Sequence, residues 1–80
     1  MIVAMHIKSE SGDNYLELFV DKTVEEIKQR LYDNIEMYEP VCEYDTAFDD
    51  NTTPSERKEV DNMLSSWYDH SWDRAEENDY

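Results

Sequence analysis

Hydrophobic and polar residues in the first part of the chain follow a pattern that predicts two β-strands. Residues 2–8 (IVAMHIK) and 15–20 (YLELFV) are rich in β-branched and aromatic side chains, and the only glycine lies between them. This arrangement is typical of two strands joined by a turn. We therefore expect a hairpin here.

The second predicted strand has apolar side chains on both of its faces. Alternate side chains of a strand point to opposite faces. The two sets are Leu16, Leu18 and Val20 on one face, and Tyr15, Glu17 and Phe19 on the other. We expect a helix to cover one face, and a partner or a further strand to meet the other.

The next periodic segment predicts a helix from about residue 23 to residue 38. Apolar residues recur there at steps of three and four, as on one face of a helix. They are Val24, Ile27, Leu31, Ile35 and Tyr38. Thr23 followed by Glu26 fits a capping box, and Pro40 ends the helix.

Residues 41–48 (VCEYDTAF) fit either a third strand or an irregular loop pinned by its aromatic residues. The strand is favoured because its side chains fall into two alternating sets. These sets are Cys42, Tyr44, Thr46 and Phe48, and an acidic face of Val41, Glu43, Asp45 and Ala47.

The sequence predicts a second helix that begins near Thr53. Pro54 follows directly and Glu56 stands three residues after Thr53, an arrangement typical of a capped helix N-terminus. Its apolar stripe consists of Val60, Met63, Leu64 and Trp67. Beyond Tyr68 the stripe thins, and we expect the last few residues to fray.

These elements predict a small α+β domain that spans residues 1–80, with two or three antiparallel strands and two helices in the order ββα(β)α. Eighty residues are too few to bury a second core. A single core of this size contributes only a few kcal/mol, so pairing into a homodimer would help stability.

Charge separates this chain from an ordinary small domain. Its net charge is −14, and residues 31–80 carry fifteen acids against three bases. Residues 36–51 hold six acids and no base. A chain without a basic cluster is not expected to bind nucleic acid or an anionic membrane directly.

Motifs for catalysis and for metal or cofactor binding are absent from the sequence. A single glycine excludes a phosphate-cradling loop. Asp45 and Glu56 stand at the first and twelfth places of a twelve-residue span, as in a calcium loop, but Ala47 and Asp50 occupy positions that require a ligand and a glycine. We therefore expect a protein that is not an enzyme and that has no metal and no cofactor.

Cys42 is the only cysteine and forms no internal disulfide. No secretory signal and no long apolar run accompany it, which favours a reducing, cytoplasmic location. We expect Cys42 to be buried or incidental, because neighbouring acids disfavour a reactive thiolate.

Acids interleaved with aromatic residues are suited to a protein partner that normally binds DNA or RNA. Carboxylates three or four residues apart on a helix are about 5–6 Å apart, a spacing on the scale of phosphates. Buried aromatic contacts from Tyr38, Tyr44 or Phe48 would hold such a complex. The predicted partner-binding residues are Asp33, Glu36, Glu39, Glu43, Tyr44, Asp45, Asp49, Asp50, Asp69, Trp72, Asp73 and Glu76.

The short acidic chain, which opens MIVAMHIKS and closes EENDY, resembles small phage-encoded inhibitors that mimic nucleic acid. This group includes anti-CRISPR proteins, anti-restriction proteins and inhibitors of uracil-DNA glycosylase. The resemblance rests on size, charge and aromatic content and implies binding to the basic groove of a bacterial defence or repair complex. A CRISPR-Cas effector is the favoured target.

Two other functions remain open at the level of sequence. The chain fits a non-catalytic adaptor or small subunit that binds a partner through aromatics, with acids that only maintain solubility. It also fits an inhibitor of a restriction enzyme or of a DNA-repair glycosylase. Binding through charge weakens steeply with salt, whereas binding through aromatics does not.

Overall fold

A computed structural model describes residues 1–77. The elements are β1 Ile2–Ser9, β2 Asn14–Val20, α1 Val24–Asp33, α2 Ile35–Tyr38, β3 Val41–Phe48 and α3 Pro54–Glu77. The strands form one antiparallel sheet in the order β2-β1-β3. The predicted α+β class is confirmed. The expected fraying concerns residues 78–80, which lie outside the described residues.

β1 and β2 form the predicted hairpin, in a register that runs from Ile2 opposite Val20 to Lys8 opposite Asn14. In the connecting turn, Gly12 has a φ of +95°, which L side chains rarely adopt. Its N–H donates to the carbonyl of Ser9 at 3.0 Å. The only glycine of the chain therefore stands where the hairpin turn requires a positive φ.

β3 confirms the predicted third strand, but its first residues do not follow the predicted alternation. Lys8 pairs with Glu43 and Ser9 pairs with Val41, so Cys42 is an extra residue that forms a β-bulge. Val41 is consequently buried and Cys42 is exposed. The prediction that Cys42 lies on the aromatic face of the strand is wrong. Of the two expected alternatives, buried or incidental, its exposure excludes the first.

The first predicted helix is present but is interrupted at Asn34. At its start the N–H of Glu26 donates to Thr23 Oγ1, and the N–H of Thr23 donates to Glu26 Oε1, both at 3.1 Å. The backbone bond from Thr23 holds the pKa of Glu26 below its ordinary value. Asn34 ends α1, since its backbone and its side chain both donate to the carbonyl of Arg30. α2 follows as one further turn and ends before Pro40.

α3 begins with the predicted capping box. The N–H of Thr53 donates to Glu56 Oε1 at 3.0 Å, and the N–H of Glu56 donates to Thr53 Oγ1 at 3.1 Å. The backbone bond from Thr53 is the main reason that the pKa of Glu56 lies below its ordinary value. The whole predicted stripe is buried, namely Val60, Met63, Leu64 and Trp67.

Both long helices contribute to a core on one face of the sheet. That face carries Val3, Met5 and Ile7 from β1 and Phe19 from β2, all in one buried cluster with the helix stripes. Trp67 is fully buried, and its indole N–H donates to the carbonyl of Leu31 at 3.2 Å. Burial of a large apolar side chain stabilises the fold by about 1.5–3 kcal/mol. The opposite face, which we call the outer face, carries Ile2, Leu16, Leu18 and Val20 and is exposed.

The molecule has two chemically different ends. Near the start of α3, the guanidinium of Arg57 lies 5.6 Å from the ring centroid of Phe48, at the end of β3. Near the other end of α3, Trp72 Nε1 donates to the carbonyl of Val41 at 2.9 Å, at the start of β3. We call the end that holds Arg57 and Phe48 the N-cap end. We call the end that holds Trp72, Val41 and the turn of residues 10–13 the hairpin end. The principal extents are 45 × 19 × 17 Å.

Candidate partner-binding surface

Exposed carboxylates of α3 accumulate toward the hairpin end. Asp69, Asp73 and Glu77 follow one another at intervals of four residues and are all exposed. Four residues of helix rise by about 6 Å, so this ridge presents one carboxylate per helical turn. Glu76 is exposed beside Glu77. No ion pair joins these four carboxylates to a cation within residues 1–77.

Three of these carboxylates lie where a helix least favours negative charge. The free carbonyl groups of the last turn give a helix C-terminus about half a negative charge. Glu56 stands in the first turn, where it stabilises α3, whereas Asp73, Glu76 and Glu77 stand near the last turn. Arg74 is the basic residue of that turn. The position of these acids opposes the stability of α3, so folding alone does not explain it.

Arg74 connects α3 to the segment around α2. Its Nε donates to Glu39 Oε2 at 2.9 Å, and its Nη2 lies 3.5 Å from Glu36 Oε1. The hydrogen bond to Glu39 is the main reason that the pKa of Arg74 is raised above its ordinary value, and the charges of Glu36 and Glu77 act in the same direction. One guanidinium therefore faces three carboxylates, and the cluster keeps a net negative charge.

The last turns of α3 are held against the start of β3 by hydrogen bonds. The N–H of Val41 donates to Ser71 Oγ at 3.2 Å, and Ser71 Oγ donates to the carbonyl of Tyr68 at 2.7 Å. Trp72 completes the attachment through its indole N–H. Each such bond contributes about 1 kcal/mol. They fix the position of the carboxylates of α3 relative to the sheet.

We define the acidic surface as the exposed acids near the hairpin end, namely Glu10, Glu36, Asp69, Asp73, Glu76 and Glu77. Glu10 belongs to it because its N–H donates to the carbonyl of Pro40 at 2.9 Å, which brings the hairpin turn beside the segment after α2. The surface thus combines acids from the hairpin turn, α2 and α3.

The structure divides the predicted partner-binding residues into separate groups. The hairpin end holds Glu36, Glu39, Asp69, Trp72, Asp73 and Glu76, with Asp33 at the C-terminal end of α1. Glu43 and Asp45 lie on the outer face of β3, and Tyr44 lies on the covered face. Asp49 and Asp50 follow β3 at the N-cap end. The predicted residues therefore do not form one continuous surface.

Asp49 connects two segments at the N-cap end. Its carboxylate accepts a hydrogen bond from the hydroxyl of Thr52 and another from the N–H of Ile2, the latter at 3.1 Å. The bond from Thr52, followed by that from Ile2, holds the pKa of Asp49 below its ordinary value. These bonds give Asp49 a role in the fold, away from the acidic surface.

The aromatic residues that were expected to anchor a partner pack inside the molecule. Tyr38 is fully buried, and its hydroxyl donates to Glu17 Oε1 at 2.5 Å. The ring centroids of Tyr44 and Trp67 are 6.2 Å apart. Phe48 packs against the core. Every aromatic side chain within residues 1–77 is buried or half-buried, so these rings offer a partner little free surface.

Sequence reasoning did not single out two features of the surface. It left Glu10 and Glu77 out of the predicted residues, and nothing in the sequence indicates that the hairpin turn, which carries Glu10, meets Pro40. It also left open which face of β2 is covered. The alternation signals two apolar faces, and the charged residue of the strand, Glu17, lies on the covered one.

Comparisons with protein-family models, with curated proteins and with solved structures found no match. Within residues 1–77, no helix is long and apolar enough to cross a membrane. The same part of the chain shows no group of three or more His, Cys, Asp or Glu residues placed to hold a metal ion. Function is therefore inferred from the charge and geometry of the surface.

Proposed function

We propose that the protein is a non-catalytic inhibitor that binds the basic nucleic-acid groove of a bacterial defence complex. The observation that carries this proposal is the acidic surface, in which Asp73, Glu76 and Glu77 stand near a helix end that disfavours negative charge. Successive phosphates of one strand advance by about 3.4 Å along a duplex. The ridge of Asp69, Asp73 and Glu77, with one charge per about 6 Å, approximates every second phosphate.

Inhibition follows from occupation of the groove. Lys and Arg side chains that bind phosphates also attract carboxylates, and a net charge of −14 speeds the encounter at low salt. The hairpin end then enters the groove, because the acidic surface lies at one end of an elongated molecule. The hydrogen bonds of Trp72 and Ser71 hold the carboxylates in place, so little ordering is needed on binding.

The proposed target is a CRISPR-Cas effector in the cytoplasm of a bacterial host. The protein would block access of DNA or RNA to the effector and would not bind nucleic acid itself. A restriction enzyme or a uracil-DNA glycosylase presents the same kind of basic groove and is the alternative target class.

An adaptor that binds through exposed aromatics has less support. Tyr38 and Trp67 are fully buried, and Trp72 is half-buried with its indole N–H bonded to Val41. An adaptor of this architecture would use the apolar side chains of the outer face instead.

The test immobilises this protein and measures its binding to three kinds of purified candidate target. These are guide-loaded CRISPR effectors, a restriction enzyme and a uracil-DNA glycosylase. The dissociation constant is measured at about 50 mM and about 200 mM salt, with and without a saturating nucleic-acid substrate. We expect one target to bind, with affinity falling at least about tenfold at the higher salt and with the nucleic acid excluding the protein. Binding that resists both salt and nucleic acid would support the adaptor, and joint binding with nucleic acid would support an allosteric inhibitor.

A further inference from the structure

β2 lies at a free edge of the sheet within residues 1–77, because the strand order is β2-β1-β3. At one end of the hairpin, the N–H of Ser9 donates to the carbonyl of Asp13 at 2.9 Å. At the other end, the N–H of Asp21 donates to the carbonyl of Met1 at 3.0 Å. Since the bonds of an antiparallel strand alternate between its two sides, odd-numbered residues of β2 bond to β1, and even-numbered residues direct their N–H and C=O groups to the free edge. The latter are Asn14, Leu16, Leu18 and Val20.

The edge of β2 lacks the features that protect the other edge of the sheet. β3 begins with the bulge at Cys42 and exposes the carboxylates of Glu43 and Asp45. Bulges and charged side chains hinder the pairing of an edge strand with another chain. The one charged residue of β2 is Glu17, which lies on the covered face and accepts the hydrogen bond of Tyr38. The edge of β2 is therefore open to a further strand.

A groove runs beside this edge, between β2 and α1. It has a volume of 670 Å³ and is lined by Leu18 and Phe19 of β2 and by Lys22. Its other wall is a polar ridge of α1, which consists of Glu26, Gln29, Arg30 and Asp33, followed by Asn34. Exposed sheet edges bind extended peptides through main-chain hydrogen bonds, with pockets that receive alternate side chains. The groove supplies such a pocket on the side of α1.

We propose that β2 binds an extended segment of a partner protein as a fourth, antiparallel strand, in which basic and apolar residues alternate. Directly opposite residues of an antiparallel pair have their side chains on the same face. Residues opposite Leu16 and Leu18 therefore project from the outer face. Leu16 is 83% exposed and Leu18 65% exposed, so apolar side chains at these places cover apolar surface that is open to water. The intervening residues project toward Glu17 and the groove.

Charges around the edge favour basic residues at the intervening places. Two bases, Lys22 and Arg30, lie along the groove. Five acids lie on β2, beside its ends or along the groove, namely Asp13, Glu17, Asp21, Glu26 and Asp33. Five acids against two bases leave a net charge of −3. Asp45 on the outer face adds a further negative charge. A segment with positive charge is complementary to these surroundings.

NMR titration of the full chain tests the added strand. The probe is a peptide of alternating lysine and valine with blocked ends, as long as the seven residues of β2. We expect it to shift the amide signals of Leu16 and Leu18 and to slow their hydrogen exchange. Absence of binding, or shifts confined to residues outside β2 and the groove, would overturn the proposal.

Two N-methylated peptides of identical charge separate main-chain pairing from attraction by charge alone. Valine residues lie opposite Leu16 and Leu18, so their N–H groups donate to β2, whereas the lysine N–H groups point away from it. Methylation of the valine nitrogens should weaken binding at least about tenfold. Methylation of the lysine nitrogens should leave the affinity within about twofold of that of the unmodified peptide. Equal affinity of the two methylated peptides would contradict pairing with β2.

Leu18→Lys tests the location on the protein. It removes an apolar contact and places a positive charge beside a basic peptide, so binding should weaken at least about tenfold. The matched control is Met37→Lys, which makes the same change at an exposed hydrophobic residue outside β2 and the groove. Circular dichroism verifies that both variants are folded, and equal weakening by the two would overturn the assignment to β2. The target assay of the proposed function is independent of this result, because the acidic surface shares no residue with β2 or the groove.

Discussion

At the scale of single residues, a buried hydroxyl and a half-buried carboxylate form the polar centre of the covered face. Tyr38 donates to Glu17 at 2.5 Å, and Arg30 Nη2 lies 3.8 Å from the second oxygen of Glu17. Burial, followed by the hydrogen bond to Glu17, raises the pKa of Tyr38 well above its ordinary value of 10.0. An ionised Tyr38 would face the carboxylate of Glu17, so the fold requires the neutral phenol.

The raised pKa of Tyr38 predicts a loss of stability in alkali. The folded protein holds the phenolic proton more tightly than the unfolded chain. The contribution of Tyr38 to the free energy of unfolding is therefore complete below pH 10.0 and declines as the pH rises above that value. Tyr38→Phe lacks this titration and loses one hydrogen bond to a carboxylate, at a cost of about 1.5–3 kcal/mol at neutral pH. The difference in the free energy of unfolding between wild type and Tyr38→Phe should therefore become smaller above pH 10.0.

Urea unfolding from pH 8 to pH 11 measures this difference, a range that brackets the ordinary tyrosine pKa of about 10. Tyr68→Phe is the control for loss of a hydroxyl, since Tyr68 donates no hydrogen bond within residues 1–77. A constant difference between wild type and Tyr38→Phe across the range would show that Tyr38 does not titrate as described.

At the scale of elements, α3 combines a favourable N-terminus with an unfavourable C-terminus. The capping box of Thr53 and Glu56 stabilises its first turn. Asp73 and Glu76 oppose the dipole near its last turn. Under the proposed function, the acids at the hairpin end serve binding at the expense of stability.

Reversal of these charges should stabilise the free protein. Asp73→Lys with Glu76→Lys replaces unfavourable charges with favourable ones, at about 0.5 kcal/mol for each site, and should raise Tm by several degrees. Thermal and urea unfolding at low salt measure the effect. Glu56→Ala is the contrasting variant, since it removes one of the two hydrogen bonds of the capping box and should destabilise the protein. A lower Tm for the double variant would contradict the argument that its acids are unfavourable for folding.

Periodicity and capping signals were sufficient to predict the elements but not their interruptions. The stripes of α1 and α3 and both capping boxes are local patterns, and each appears in the structure. The bulge at Cys42 depends on pairing with Ser9 of another strand, which leaves no periodic trace in the sequence. The break at Asn34 is made by local hydrogen bonds from Asn34 to the carbonyl of Arg30, and the apolar spacing of the segment continues across it.

At the scale of the whole molecule, the sequence predicts which types of residue form the candidate site. It predicts only part of how those residues are grouped in space. Helical spacing was enough to group Asp69, Asp73 and Glu76, because they share one element. Asp49 and Asp50 are close to Glu43 in sequence, yet β3 carries them to the N-cap end. The aromatic anchors could not be assigned, since a ring that packs in the core has the same sequence pattern as one that meets a partner.

The central claim is that position, and not only total charge, determines target binding. The direct test compares two triple variants of equal composition and equal net charge. One is Asp73→Asn, Glu76→Gln and Glu77→Gln on the acidic surface. The other is Asp21→Asn, Glu25→Gln and Glu59→Gln, which neutralises acids near the N-cap end. Both reduce the net charge of −14 by the same amount.

The dissociation constant for the target and the inhibition of its nucleic-acid binding are measured for both variants. We expect at least a tenfold loss of affinity for the acidic-surface variant, from about 0.5 kcal/mol at each of its three sites. The N-cap variant should bind within about twofold of wild type, since its changes lie outside the contact. Equal losses in the two variants would contradict the claim and would show that the protein acts through its overall charge.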